Sequence, residues 1–211
     1  GAEALLKLIP DVLDVSKIET GEIDVELVPM DLRTCLRDAV TPIRTRAAAE
    51  GLDFALVVDE ALPEIVLGDP GRLRQIVTNL AENAVKFTDA GGVIVEVAVA
   101  EVAPTHPPEL EIRVVDTGIG IPRDVQERIF ERFVQVDSTT TRRTGGVGLG
   151  LNIVRSLVEA LGGTVAVVSR PREGAEFRVR LPLVVVAATE APVAAPPAQP
   201  DIDADARERA A

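Results

Sequence analysis

The stretch from Asp69 to Thr88 constrains the fold most. Asp69-Pro70 sets an N-cap residue before a proline at the first helical position, the preferred start chemistry for a helix. At roughly 100° per residue, Leu73, Ile76, Val77, Leu80, Ala84 and Phe87 then share one face, while Asn79, Asn83 and Lys86 form a polar stripe beside it. The sequence therefore predicts a helix buried on one side that carries two amides and a lysine along its edge.

Around this helix the pattern alternates between helical and strand periods. Leu5, Leu8, Ile9, Val12, Val15 and Ile18 recur every three to four residues, the stripe of a helix that packs on other helices. Thr20 to Leu32 changes to alternation through Ile23, Val25 and Leu27, which predicts a half-buried strand. Asp31 reads as the N-cap of a helix that runs to about Glu50 and stops at Gly51. Strands are expected at 52–58, 93–99, 110–116, 164–169 and 176–183, a loop with Pro63 and Gly68 before Asp69, and helices at 122–133 and 149–161. The second of these buries Leu149, Ile153, Val154, Leu157 and Leu161 and ends at Gly162-Gly163. From Ala187 onward Ala, Pro, Asp and Glu dominate, a composition expected to stay disordered. The predicted division is 1–19, the end of a packing helix, 20–184, a globular domain, and 185–211, a disordered linker or tail.

Composition removes several classes of function. Asp+Glu number 34 against 22 Lys+Arg, a net charge of −12, and aromatic residues are limited to five Phe. Such a chain lacks the basic field and stacking rings of a nucleic-acid binder. One Cys (Cys35) and one His (His106) exclude a disulfide framework, a Cys-ligated zinc site and a multi-histidine metal site. No apolar run approaches the ~18 residues that span a bilayer, and no signal-peptide pattern opens the chain. A reducing, cytoplasmic setting is expected, with a membrane anchor elsewhere in a longer protein left open. Gly1 falls inside the first apolar stripe, which reads as a segment cut from a longer chain.

Three features carry chemistry. Gly145-Gly146-Val147-Gly148-Leu149-Gly150 runs into a helix start, where free backbone N–H groups and the positive dipole end can hold phosphate oxygens. Asp116-Thr117-Gly118-Ile119-Gly120 closes an apolar strand, where a carboxylate needs a hydrogen-bond donor such as the exocyclic amine of adenine, and glycines leave room for a flat base. An Asn on the helix stripe can ligate Mg²⁺ through its oxygen, and the lysine can meet a phosphate. Neither the GxxxxGK[ST] loop nor the strand-linked dinucleotide pattern is present, and no HRD or DFG stretch occurs.

These segments resemble a known family. RQIVTNLAENAVKFT is similar to the N-box, VVDTGIGIP to the G1 box, IFERFVQ to the F-box and GGVGLGLNIV to the G2 box of the ATP-binding catalytic domain of bacterial sensor histidine kinases. LIPDVLDVSKIETGEIDVELVPMDL resembles the end of the dimerisation and phosphotransfer domain and its link to that domain. The resemblance implies a Bergerat-type two-layer α/β sandwich, a mixed sheet with helices on one face. It implies ATP and Mg²⁺ as ligands: Asn83 on the metal, Lys86 on a phosphate, Asp116 on adenine, Gly118 and Gly120 shaping the base pocket. Asn79 lies on the same helix edge, Gly146, Gly148, Leu149 and Gly150 would meet the phosphates, and a lid at 134–148 would bring Arg142 or Arg143 to them. Against the acidic background, attraction for the nucleotide has to come from these local groups.

The resemblance also implies histidine autophosphorylation, a homodimer in the full-length protein, and a response regulator or receiver domain downstream. Three departures qualify it. Related ATPases carry a glutamate one turn before the metal-binding Asn, where this chain has Asn79, and an amide is no general base. Val147 stands where a Thr or Ser usually meets phosphate. The phosphoacceptor His and its H-box are not in the sequence, since His106 lies in the proline-flanked APTHPPE, so the chain is predicted not to phosphorylate itself. The alternatives are a Ser/Thr kinase or ATPase of the same superfamily and a degenerate nucleotide-sensing scaffold.

Overall fold

The computed structural model describes residues 23–100, 107–131, 134 and 149–186. The predicted helix at 3–18, residues 187–211 of the predicted tail, His106, Arg142, Arg143, Gly146, Val147 and Gly148 lie outside the described residues, while Val185, expected in the tail, is in a strand paired with Val66.

The first two helices begin as their sequences require. In α1 (Leu32–Ala49) the Asp31 carboxylate accepts from Thr34 N at 2.9 Å, and Gly51, at φ +75°, turns the chain out of it. In α2 (Pro70–Lys86) Asp69 accepts from Arg72 N at 2.9 Å. Asp69 also accepts from Glu26 N at 3.1 Å, which pins the incoming chain to the start of α2. The buried residues of α2 are those expected, joined by Ala81 and Val85; Phe87 caps the helix and is only partly buried, because the helix ends one residue before it. In α3 (Gly150–Ala160) Ile153, Val154 and Leu157 are buried and Leu161 is half-buried.

Two sheets frame the helices. The larger has the order β2 (Asp53–Val58), β4 (Gly92–Val99), β5 (Glu109–Asp116), β7 (Ala175–Pro182), β6 (Thr164–Ser169). β2 runs parallel to β4 and every other pair is antiparallel, so the sheet is mixed. The parallel pair needs a crossover, and α2 supplies it. The three described helices cover one face, packed on Val95, Ile112, Val114, Phe177 and Val179. The expected mixed sheet with helices on one side is the fold observed.

The second sheet was not legible. β1 (Val28–Asp31), β3 (Ile65–Gly68) and β8 (Val184–Val185) form an antiparallel trio in the order β1-β3-β8. Of the strand expected over 20–32, the described residues from Ile23 onward are strand only at Val28–Asp31, where β3 offers a partner. Ile65–Gly68 is a strand rather than the expected loop: Pro63 before it and Gly68 at its end read as loop punctuation, but Val66 is buried and pairs with Met30. The helix expected at 122–133 is a series of turns ending in one 3₁₀ turn, Arg128–Phe130. Its bonds are mostly of the i to i+3 type, such as Val125 N to Pro122 O at 3.1 Å and Arg128 N to Val125 O at 3.0 Å.

Candidate nucleotide site

Strand parity selects the site carboxylate. On β5, Leu110, Ile112, Val114 and Asp116 all point to the helix side, so the last of them puts a charge at the rim of the apolar core. Asp116 is 7% exposed. Its Oδ1 accepts from Gly118 N at 2.8 Å and Ala175 N at 3.3 Å. Among the described residues Oδ2 has no hydrogen-bond partner and the carboxylate has no cationic one. Burial pushes its pKa up, and the two N–H groups only partly counter that.

The glycines of this turn serve backbone approach. A Cβ on Gly118 would stand 2.2 Å from Phe87 O, and one on Gly120, at φ +68°, 2.0 Å from Arg170 O. Both positions expected to leave space for a base are thus filled by neighbouring main chain. What the glycines allow is a turn clamped between the end of α2 and the β6–β7 hairpin.

The amide stripe lies where expected. Asn79, Asn83 and Lys86 are half-buried along α2, and Glu82 is exposed on another side. Asn79 Nδ2 is buried without a partner among the described residues. A Cβ on Gly150 would lie 3.8 Å from Asn83 Nδ2, so the start of α3 sits beside the stripe. Unlike α1 and α2, α3 has no side-chain cap, Leu149 occupying its N-cap position, and its first N–H groups lack that partner. Lys86 Nζ lies 5.0 Å from the centre of the Phe87 ring. Burial, and then the like charge of Arg46, lowers the Lys86 pKa. No group of three or more His, Cys, Asp or Glu among the described residues could hold a metal ion.

The structure thus places Leu149 and Gly150, at the start of α3, beside Asn83 of the α2 stripe, and the Asp116–Gly120 turn against Phe87 at the end of α2. A model of the histidine kinase-, DNA gyrase B-, and HSP90-like ATPase family matches residues 68–185. The chain belongs to this family.

Within this ATPase family its relatives are histidine kinases. It is 36% identical over 239 residues to the probable histidine kinase 4 of Oryza sativa subsp. japonica, covering 83% of this chain and 24% of that protein. It is 42% identical over 176 residues to the signal transduction histidine-protein kinase BarA of Escherichia coli (strain K12), covering 83% of this chain and 19% of that one. The chain thus spans a quarter or less of these relatives. Among solved structures, full-length ShkA in complex with AMPPNP superposes with a TM-score of 0.75 at 39% identity, over 88% of this chain and 37% of that one. The mycobacterial sensor histidine kinase MprB superposes at 0.60 with 27% identity, over 76% of this chain and all of that one. Domain and fold are those of the ATP-binding catalytic part of a sensor histidine kinase. Sequence reasoning missed the groups that hold the Asp116 turn: Phe87 O, Ala175 N, Ser169 and Gln126. No local pattern marks them.

Proposed function

We propose that this ATPase-family domain binds ATP with Mg²⁺ and supplies the γ-phosphoryl group to a histidine on a dimerisation and phosphotransfer domain. The observation that carries the reading is Asp116, a buried carboxylate that keeps one oxygen without a partner and no cation beside it among the described residues. Such a group is costly unless a ligand donor meets it, and the 6-amine of adenine is one. Among the described residues Asn79 Nδ2 has no acceptor and the start of α3 has no side-chain cap, which suits a phosphate chain. Asn83 would hold Mg²⁺ through its amide oxygen, a fit with an ion that takes most of its ligands from phosphate and water. Lys86, Gly146, Gly148, Leu149 and Gly150, with Arg142 or Arg143, would meet the phosphates.

Bound Mg²⁺ would neutralise phosphate charge during transfer; this chain's residues orient the nucleotide and exclude water. With Asn79 one turn before Asn83, no carboxylate stands ready to activate water there. Release of phosphate without an acceptor should therefore be slow. The working protein would be a cytoplasmic homodimer that passes the phosphoryl group to a response regulator or receiver domain. This chain by itself, without an H-box, would not autophosphorylate.

Calorimetric titration of Mg-ATP into the 211-residue chain should give saturable binding that Asp116→Ala and Asn83→Ala each abolish. With γ-labelled ATP and a dimerisation domain added in trans, acid-labile label should appear on its histidine. Absence of saturable binding, or indifference to both substitutions, would overturn the reading. Steady phosphate release without acceptor would favour the ATPase alternative.

A further inference from the structure

The turn that carries Asp116 is held at its middle and at its far end, and apart from Phe87 the groups that hold it lie outside the boxes that resemble the family. At its middle, Ile119 N donates to Phe87 O at 3.1 Å and Ile119 O accepts from Arg172 N at 2.7 Å. At its far end one hydroxyl joins two segments: Ser169 Oγ accepts from Ile121 N at 2.8 Å and donates to Gly174 O at 2.6 Å. Gln126 Nε2 closes the cluster, donating to Ile121 O at 2.8 Å and Ser169 O at 2.9 Å. Carbonyl oxygens only accept, so the direction of each of these bonds is fixed by chemistry.

Gly174, which Ser169 holds, is followed by Ala175, whose N–H reaches Asp116 Oδ1 at 3.3 Å. A Cβ on Gly174 would stand 1.9 Å from Asp116 O, so hairpin and turn are already at closest approach. The Asp116 carboxylate thus lies between two backbone points, Ile121 and Gly174, that Ser169 ties at one spacing.

We propose that Ser169, backed by Gln126, is a positioning residue for base selection: through the Ile121–Gly174 tie it keeps the Asp116 carboxylate oriented so that Oδ2 stays open to the base. This rests on the ATP reading. A fixed carboxylate favours adenine, whose 6-position donates, over guanine, whose 6-position carries an oxygen that would face like charge. That discrimination requires the oxygen to be held in place, and a carboxylate free to rotate loses it.

The test is calorimetry of Mg-ATP and Mg-GTP binding to the 211-residue chain and to Ser169→Ala, Gln126→Ala and Ser169→Thr, each checked for folding by circular dichroism. The parent should prefer ATP. Ser169→Ala and Gln126→Ala should weaken ATP roughly 5- to 30-fold, the scale of one to two net hydrogen bonds. GTP should change little, so the ATP:GTP ratio shrinks, and Ser169→Thr, which keeps the hydroxyl, should restore it. Should Ser169→Ala fail to fold, Gln126→Ala carries the same test. An unchanged ratio in the folded variants would overturn the inference alone. So would equal losses for both nucleotides that Ser169→Thr does not rescue, which is the result of a merely structural role. A parent chain that bound neither nucleotide would overturn the ATP reading and this inference with it.

Discussion

The two faces of the five-stranded sheet are made from alternate residues of the same strands, yet they treat charge in opposite ways. On the open face Arg113 bonds Glu96 at 2.7 Å and Glu176 at 3.0 Å, and Glu111 meets Arg180 at 2.8 Å. Each of these five charges has a partner and is partly exposed to water. On the covered face Ile112 and Val114 are fully buried, and the charge at the end of the row, Asp116, has no cation among the described residues. The difference points to where the proposed nucleotide site sits. Paired surface charge keeps a sheet face solvated at little energetic consequence, whereas a lone buried carboxylate persists against its desolvation only if something else requires it.

Neighbouring residues on opposite faces give the sharpest contrast. Ile112→Ala, on the covered face, should lower stability by about 2–5 kcal/mol in urea denaturation, the range for truncating a buried aliphatic side chain. A loss below about 1 kcal/mol would mean that the helix layer packs loosely on β5.

Asp116→Asn comes next. It should cut ATP affinity by about 1.5–3 kcal/mol, the scale of a hydrogen bond to a charged group, while leaving the urea midpoint equal to or above that of the parent. The sign follows from burial: the folded-state pKa lies above the ordinary 3.8, so folded Asp116 holds its proton to higher pH than the unfolded chain does. Its contribution to stability is therefore greatest in acid and declines as pH rises through that window. The advantage of Asn should be present at neutral pH and vanish as the pH falls through the raised pKa. A variant less stable than the parent at neutral pH would show that the Gly118 and Ala175 N–H bonds outweigh desolvation.

The smallest effect belongs to the open face. Glu176→Gln should cost less than about 1 kcal/mol, since its partner Arg113 is 37% exposed. Its pH dependence runs the other way. Hydrogen bonding to Arg113 lowers the Glu176 pKa from 4.5 to about 2, so its stabilisation is present above about 4.5 and lost as pH falls toward about 2. Stability curves of the two variants against pH should bend in opposite senses, and parallel curves would break the comparison.

Much of this was legible because it is local. Asp31 and Asp69 find donors three residues ahead, at Thr34 and Arg72, so capping chemistry alone places the starts of α1 and α2. The α2 stripe follows from helical period, and the four boxes from short stretches of wording. The candidate residues that fall within the described part lie along α2, at the start of α3 and on the turn after β5. The small sheet was hidden because β3 is four residues long between loop signals, and only pairing with Met30 and Val185 makes it a strand.

The sequence by itself determined which residues could serve a nucleotide: the amides and lysine on one helix edge, the glycines, and an aspartate of the buried parity on β5. Only the tertiary structure decided how that aspartate is held. Ser169 lies 48 residues from Ile121, and Ala175 lies 59 from Asp116. Bonds over such separations are set by how β6 and β7 dock beside β5, which no local period encodes. The same docking gave Gly118 and Gly120 their task, since the space their missing side chains leave is taken by the backbone of Phe87 and Arg170.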